Sequence, residues 1–195
     1  MIHFHDLAIA PFWDTMRSRD WCGELARRAN TPVWLNRKGE VEWNLSGSLN
    51  DSGHHEEALV AADKGIAALQ RVLGYGPDSN AEKQLLILYN QKANVLGSLH
   101  RYRDAVEPAA LSHALRTRRL IAEPGDPARE RDLVVSYAPY ALVLAQAGRR
   151  AEACAVLRKA GRMWDDIRRA GHLSGLDARR SLDEYHQIGM RYCRS

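Results

Sequence analysis

Hydrophobic residues in this chain recur three and four positions apart, the spacing that gathers them on one face of a helix. Leu45, Leu49, Ala58 and Ala62 lie around a turn at Gly53, and the same arrangement returns as Ala93, Leu96, Ala105 and Ala109 around His100. It returns again as Ala141, Leu144, Ala153 and Leu157 around Gly148. Val, Ile and the aromatic residues never settle into period-two alternation, and Thr occurs only three times, so strand signals are nearly absent. The chain reads as all-α. Aligned on the small residue after each turn, Ala58 to Ala105 is 47 residues and Ala105 to Ala153 is 48, which makes the pattern an internal repeat.

Each copy predicts a helix, a tight polar turn and a second helix opened by an acidic residue and alanine: SGHHEEAL, LHRYRDAV and AGRRAEAC. Gly53 and Gly148 stand where the first helix must stop, because glycine takes the left-handed conformation without a Cβ penalty. His100 replaces glycine in the middle copy and weakens that stop. Ser46, Ala93 and Ala141 from the first helices, and Ala58, Ala105 and Ala153 from the second, let the two helices of a pair cross closely. The pairs are predicted at 39–52 with 54–73, 80–99 with 102–122, and 127–147 with 149–170. The linkers GYGPDSN and EPGD each contain a proline that cannot continue the preceding helix, and Asp78, Ser79 or Asn80 is placed to cap the helix that follows. A final helix over 175–192 offers Leu176, Leu182, Tyr185 and Met190 for docking on the last pair. Pro108 and Pro139 fall inside predicted helices, where kinks are expected.

The small residue, turn, tyrosine and alanine of ANVLGSLHRYRDA, with WNLS at Trp43–Ser46 and YNQKA at Tyr89–Ala93, resemble the tetratricopeptide repeat. The long period resembles the extended repeats of kinesin light chains and many bacterial regulators, over about residues 40–170. The resemblance implies a right-handed α-solenoid of three antiparallel helix pairs in one continuous domain. Residues 39–172 would form the repeats, 1–38 an N-terminal capping segment and 173–195 a C-terminal capping helix. The segment 1–38 holds five of the fourteen aromatic residues, Phe4, Phe12, Trp13, Trp21 and Trp34, and predicts a helix over 11–29. It is expected either to cap the first pair or to dock on a second subunit, giving a homodimer through residues 1–36.

In that family the first helix of each pair lines the concave surface, which implies Trp43, Asn44, Gly47 and Asn50, then Asn90, Gln91 and Asn94, then Ala138, Pro139, Leu142 and Gln146 as inward-leaning positions. Asparagine carries both donor and acceptor and can pair with the C=O and N–H of an extended peptide without reading its side chains. The candidate peptide-binding set is therefore Trp43, Asn44, Asn50, Asn90, Gln91 and Asn94, with Tyr137 and Tyr140 giving an apolar end. The alternative for the asparagines is polar helix surface together with capping of the neighbouring repeat. Val135, Ala138 and Pro139 stand where chaperone-binding members carry basic residues, so the carboxylate clamp of those members is not expected.

Charge adds little. The chain of 195 residues carries a formal charge of +4, all of it in the second half, and arginine supplies 23 of the 28 basic residues. Arg116, Arg118 and Arg119 in RTRRL, and Arg149, Arg150, Arg168, Arg169, Arg179 and Arg180 beyond, are interleaved with acids, which favours a solvated, salt-bridged surface over nucleic-acid binding. No apolar run is long enough to span a membrane and no leader opens the chain, so a cytoplasmic protein is expected. Cys22, Cys154 and Cys193 are odd in number and far apart, and read as reduced buried thiols. The histidines of HFHD and of His54–His55–Glu56–Glu57 lack metal-ligand spacing, and phosphate-loop, dinucleotide and nucleophile-elbow motifs are missing, so neither cofactor nor metal is expected. The expected function is a non-catalytic module that binds a protein or peptide. A peptide-sensing regulatory domain is the alternative, and an enzyme joining His100 or His113 to a carboxylate such as Glu107 is a third reading.

Overall fold

The computed structural model describes residues 30–193, and every regular element among them is a helix. They are α1 Pro32–Asp51, α2 His55–Tyr75, α3 Ser79–Ser98, α4 Tyr102–Ala122, α5 Pro127–Gln146, α6 Arg150–Arg169, α7 Gly175–Arg179 and α8 Ser181–Tyr192. From α1 to α6 each helix packs on the next in the chain, α1 also touches α3, and α8 lies on α5, α6 and α7. The predicted helix over 11–29, the aromatics Phe4, Phe12, Trp13 and Trp21, and Cys22 lie outside the described residues.

The helices of each pair approach through their smallest side chains. Ser46, Ala58, Ala105, Ala141 and Ala153 have no exposed surface and Ala93 only 2%. Larger apolar residues then fill the spaces between pairs in successive clusters along the chain. Leu35, Leu69, Leu85 and Leu88 join α1, α2 and α3. Ala93, Leu96, Ala105, Ala109 and Val143 join α3, α4 and α5. Leu144, Ala153, Leu157 and Ile188 join α5, α6 and α8. Gly39 belongs to the same logic, since a Cβ there would stand 2.6 Å from Cδ2 of the fully buried Leu69.

The three turns within the pairs share one geometry. The N–H of His54, Arg101 and Arg149 reaches back to the carbonyl of Leu49, Leu96 and Leu144, each at 2.8 Å. The residue before each donor has positive φ: Gly53 at 83°, His100 at 56° and Gly148 at 85°. This is the glycine-type helix stop. His100 adopts it with a Cβ and offsets part of the cost by a 2.7 Å contact between Nδ1 and the Tyr102 hydroxyl.

Several boundaries differ from those read in the sequence. α1 begins at Pro32 rather than 39, because Pro32 suits a first turn and Leu35 is buried in the first cluster. Asp78 is the residue that caps α3, accepting from the N–H of Asn80 at 3.0 Å and of Ala81 at 2.9 Å. The helices continue through Pro108 and Pro139. The predicted final helix is broken at Arg180 into α7 and α8, and Leu176 and Met190 stay exposed while Leu182 and Ile188 are buried.

The cysteine expectation is overturned. Cys154 and Cys193 form a disulfide with Cα atoms 5.6 Å apart. Distance along the chain hid this, because α8 folds back along α6: Leu182 packs with Ile167, Tyr185 stands beside Gly161, and Arg150 Nε donates to the Tyr192 carbonyl at 2.6 Å. The other end of this C-terminal unit is held by Arg131, whose Nη2 and Nε reach the two Asp177 oxygens at 2.6 and 2.8 Å. Asp177 is 1% exposed, and its hydrogen-bonded partner Arg131 holds its carboxyl below the usual range.

Two outcomes follow for stability. Replacing His100 with glycine should raise the unfolding free energy by roughly 0.5–1 kcal/mol in urea titration, relief of the left-handed strain exceeding the added freedom of the unfolded chain, whereas alanine at Gly53 or Gly148 should lower it. Removing the disulfide with Cys154→Ser and Cys193→Ser frees a cross-link of separation 39 and should cost about 4 kcal/mol or less, with amide exchange quickening first in α8.

Candidate binding trough

Two clefts that share Arg116 lie along the junction of α3, α4 and α5. The first is lined by Asn90, Ala93 and Asn94 of α3, Ala109, Ser112, His113 and Arg116 of α4, and Ser136, Pro139, Tyr140 and Val143 of α5. It is a narrow crevice of about 10 Å³, room for one water molecule. The second holds about 380 Å³ and is lined by Lys83, Leu86 and Ile87, then Arg116 and Arg119, then Asp126, Ala128, Arg129 and Asp132. Together they form a trough with α3 and α5 as walls, running from Lys83 to Asn94 on the α3 side. At about 1.5 Å rise per residue this is ~16 Å, the span of about five extended residues.

The trough has polar chemistry in its floor. Ser112, 2% exposed, donates to the Leu86 carbonyl at 2.7 Å and so ties α4 to α3. Arg116 reaches Ser112 and lies 3.3 Å from Asp132 of α5. His113 Nδ1 is 3.0 Å from Ser136 Oγ, and Ser136 donates to the Leu133 carbonyl at 2.6 Å. The His113 ring stacks on Tyr140 at 5.2 Å between centroids and meets Tyr137 edge-on at 4.4 Å. Burial first, then the positive charges of Lys159 and Arg116, lower the His113 pKa to about 4, so the ring is neutral at pH 7. Pro139 has no N–H, which withdraws the usual helical donor from the Val135 carbonyl beside this floor.

The residues expected at the groove are distributed unevenly. Asn90, Asn94 and Tyr140 line one crevice, with Asn94 exposed and Asn90 half-buried. Gln91 is half-buried and outside that lining. Trp43 is 37% exposed and Asn44 is exposed on α1, away from the crevice lining. Asn50 sits at the first turn, its Oδ1 3.0 Å from His55 Nδ1. Tyr137 is not a surface residue: at 1% exposure it packs with Leu133 and Ala160, because its position on α5 turns it toward α6. It therefore provides no apolar contact in the trough.

Ser112 and His113 were not expected at the groove, which the resemblance placed on first helices alone, whereas α4 supplies them; Ser136 is on α5, two residues before the expected Ala138. The signal was present as polar residues at 112, 113 and 116, one helical face, within an otherwise apolar stretch. The expected interleaving of arginine with acid is visible between helices as Arg116–Asp132 and Arg118–Glu82, and three residues apart along the chain as Arg149–Glu152 and Arg168–Asp165. His54 lies 3.2 Å from Glu57, and His100 bonds Tyr102. No described helix is long and apolar enough to cross a membrane. No protein-family model, curated protein or solved structure matches the chain.

His113 makes stability depend on pH with a definite sign. Its folded pKa of about 4 lies below the ordinary value of 6.5, so the unfolded chain takes up the proton first. The contribution is full above pH 6.5 and is lost as pH falls toward 4, roughly 2–3 kcal/mol over the interval. Urea titrations of the wild-type chain and of His113→Gln at pH 7 and pH 4.5 should differ by that amount in their pH dependence; equal dependence would exclude a neutral, desolvated ring.

Proposed function

We propose that the chain is a tetratricopeptide-like stack of three helix pairs, α1 with α2, α3 with α4 and α5 with α6, closed at its C-terminal end by α7 and α8. It acts as a non-catalytic interaction module. An extended peptide, or an extended segment of a partner protein, lies along the α3–α4–α5 trough. The observation that carries this reading is the placement of Asn90 and Asn94, two amides one helical turn apart on the wall of a cleft whose floor is otherwise satisfied within the protein. Donor and acceptor on each amide suit a backbone, and Tyr140, with one face against His113, adds an apolar surface beside them. The neutral His113 and the paired Arg116 serve to hold the floor rigid.

Supporting this arrangement are the repeated turn geometry, the small residues at each crossing and the chain-neighbour packing of the helices. Asn44, Asn50 and Trp43 stand outside the proposed contact set, as does Tyr137. The Cys154–Cys193 bond fits an oxidising compartment better than the cytoplasm expected from the sequence.

The test is selection of random heptapeptides displayed against the full chain, followed by affinity measurement with Asn90→Ala/Asn94→Ala. Losing two amide contacts should weaken the selected peptides about tenfold or more while helical content by circular dichroism is unchanged. Peptides that bind the double variant as tightly as the wild-type chain would overturn the assignment.

A further inference from the structure

Building on the reading of the trough as a peptide groove, we infer that its wider half selects an acidic side chain, so that the occupant is an extended peptide carrying Asp or Glu about three residues from the stretch that crosses Asn90.

Four cations line this half, Lys83, Arg116, Arg119 and Arg129, against two carboxylates, Asp126 and Asp132. The two carboxylates are already answered. Arg116 pairs with Asp132 at 3.3 Å, and Arg129 pairs with Asp126 at 3.2 Å and with Glu123 at 2.6 Å while donating to the Arg119 carbonyl. Lys83 and the Arg119 guanidinium have no ion-pair or hydrogen-bond partner among the described residues. Both residues line a cleft of about 380 Å³ whose lining also includes the apolar Leu86, Ile87 and Ala128. Two unanswered cations in a concave cleft attract an anion more strongly than the same charges on an open surface.

The N-terminus of α5 opens at the same cleft, but Asp126 already accepts from the N–H of Ala128 and Arg129, so the attraction rests on Lys83 and Arg119. Nucleic acid fits poorly, since a phosphate chain entering here would also meet Asp126 and Asp132. A carboxylate suits either free donor, since ammonium and guanidinium each form charge-assisted hydrogen bonds to it. Position fixes the register. Lys83 and Asn90 are seven residues apart on α3, ~10 Å at helical rise, which an extended peptide covers in about three residues.

The test uses the full chain and heptapeptides displayed with their C-termini fused to the carrier, so that the only carboxylates offered are side chains. Peptides whose binding is weakened by Asn90→Ala/Asn94→Ala are taken as trough ligands and sequenced. Enrichment of Asp or Glu over the starting library is expected. Lys83→Glu/Arg119→Glu should raise their Kd about tenfold or more, Lys83→Ala/Arg119→Ala should raise it by a smaller factor, and added salt should weaken wild-type binding. The alanine pair guards against misfolding, with far-UV circular dichroism and thermal midpoint as controls. Trough ligands without acidic enrichment, or an unchanged Kd in both charge variants, would overturn this inference and leave the peptide groove standing. A selection giving no peptide sensitive to Asn90→Ala/Asn94→Ala would overturn the groove itself, and this inference with it.

Discussion

Close approach of paired helices through side chains no larger than alanine or serine is the constraint on which the molecule depends. Ser46, Ala58, Ala93, Ala105, Ala141 and Ala153 are all essentially completely buried. A branched residue at one of these points would separate the helices and force neighbouring side chains from their rotamers. Close crossing also means that the leucines above and below it, such as Leu69, Leu88, Leu96 and Leu144, are directed into the space between successive pairs. The apolar core is consequently strung along the chain as linked clusters, and the trough lies where two of the pairs meet.

That origin explains the trough's composition. A floor made from α4 between two walls must satisfy its own polar groups, and it does so with short-range bonds: Ser112 to Leu86, Arg116 to Asp132, His113 to Ser136. Among the described residues, the trough side chains left without such partners are on the walls and rim. Asn90 and Asn94 stand at one end of the trough, and Lys83 and Arg119 at the other. A ligand is thus offered amide groups at one end and positive charge at the other. The C-terminal unit contributes from a distance. Arg131–Asp177 and Cys154–Cys193 hold α7 and α8 against the α5–α6 face, which keeps the wall supplied by α5 backed on its far side.

The helical repeat was legible in the sequence because the same small residue returns at nearly constant spacing on either side of a turn, a signal that survives one irregular copy. His100 shows why: a histidine at a glycine position still closes the turn, with positive φ and the same back-bond, from Arg101 to Leu96, that the glycine turns make. Less of the site was readable. Asn90, Asn94 and Tyr140 share a cleft as expected, but Tyr137 points toward α6, a matter of helix rotation that sequence spacing leaves undetermined. The disulfide was hidden for a related reason, as cysteines separated by 39 residues meet only because α8 folds back along α6. The start of α1 was misplaced because Leu35 and Gly39 find their partners in α2 and α3, beyond any local pattern.

The most direct measurement is the map of backbone amide shifts when a selected peptide is added to the isotopically labelled chain. Shifts concentrated on α3 from Lys83 to Asn94, on the α4 floor around His113 and Arg116, and at Tyr140 are the expected result. Shifts confined to the exposed apolar face of α1, around Trp34, Val41 and Leu45, with the α3–α4–α5 junction unchanged, would contradict the account.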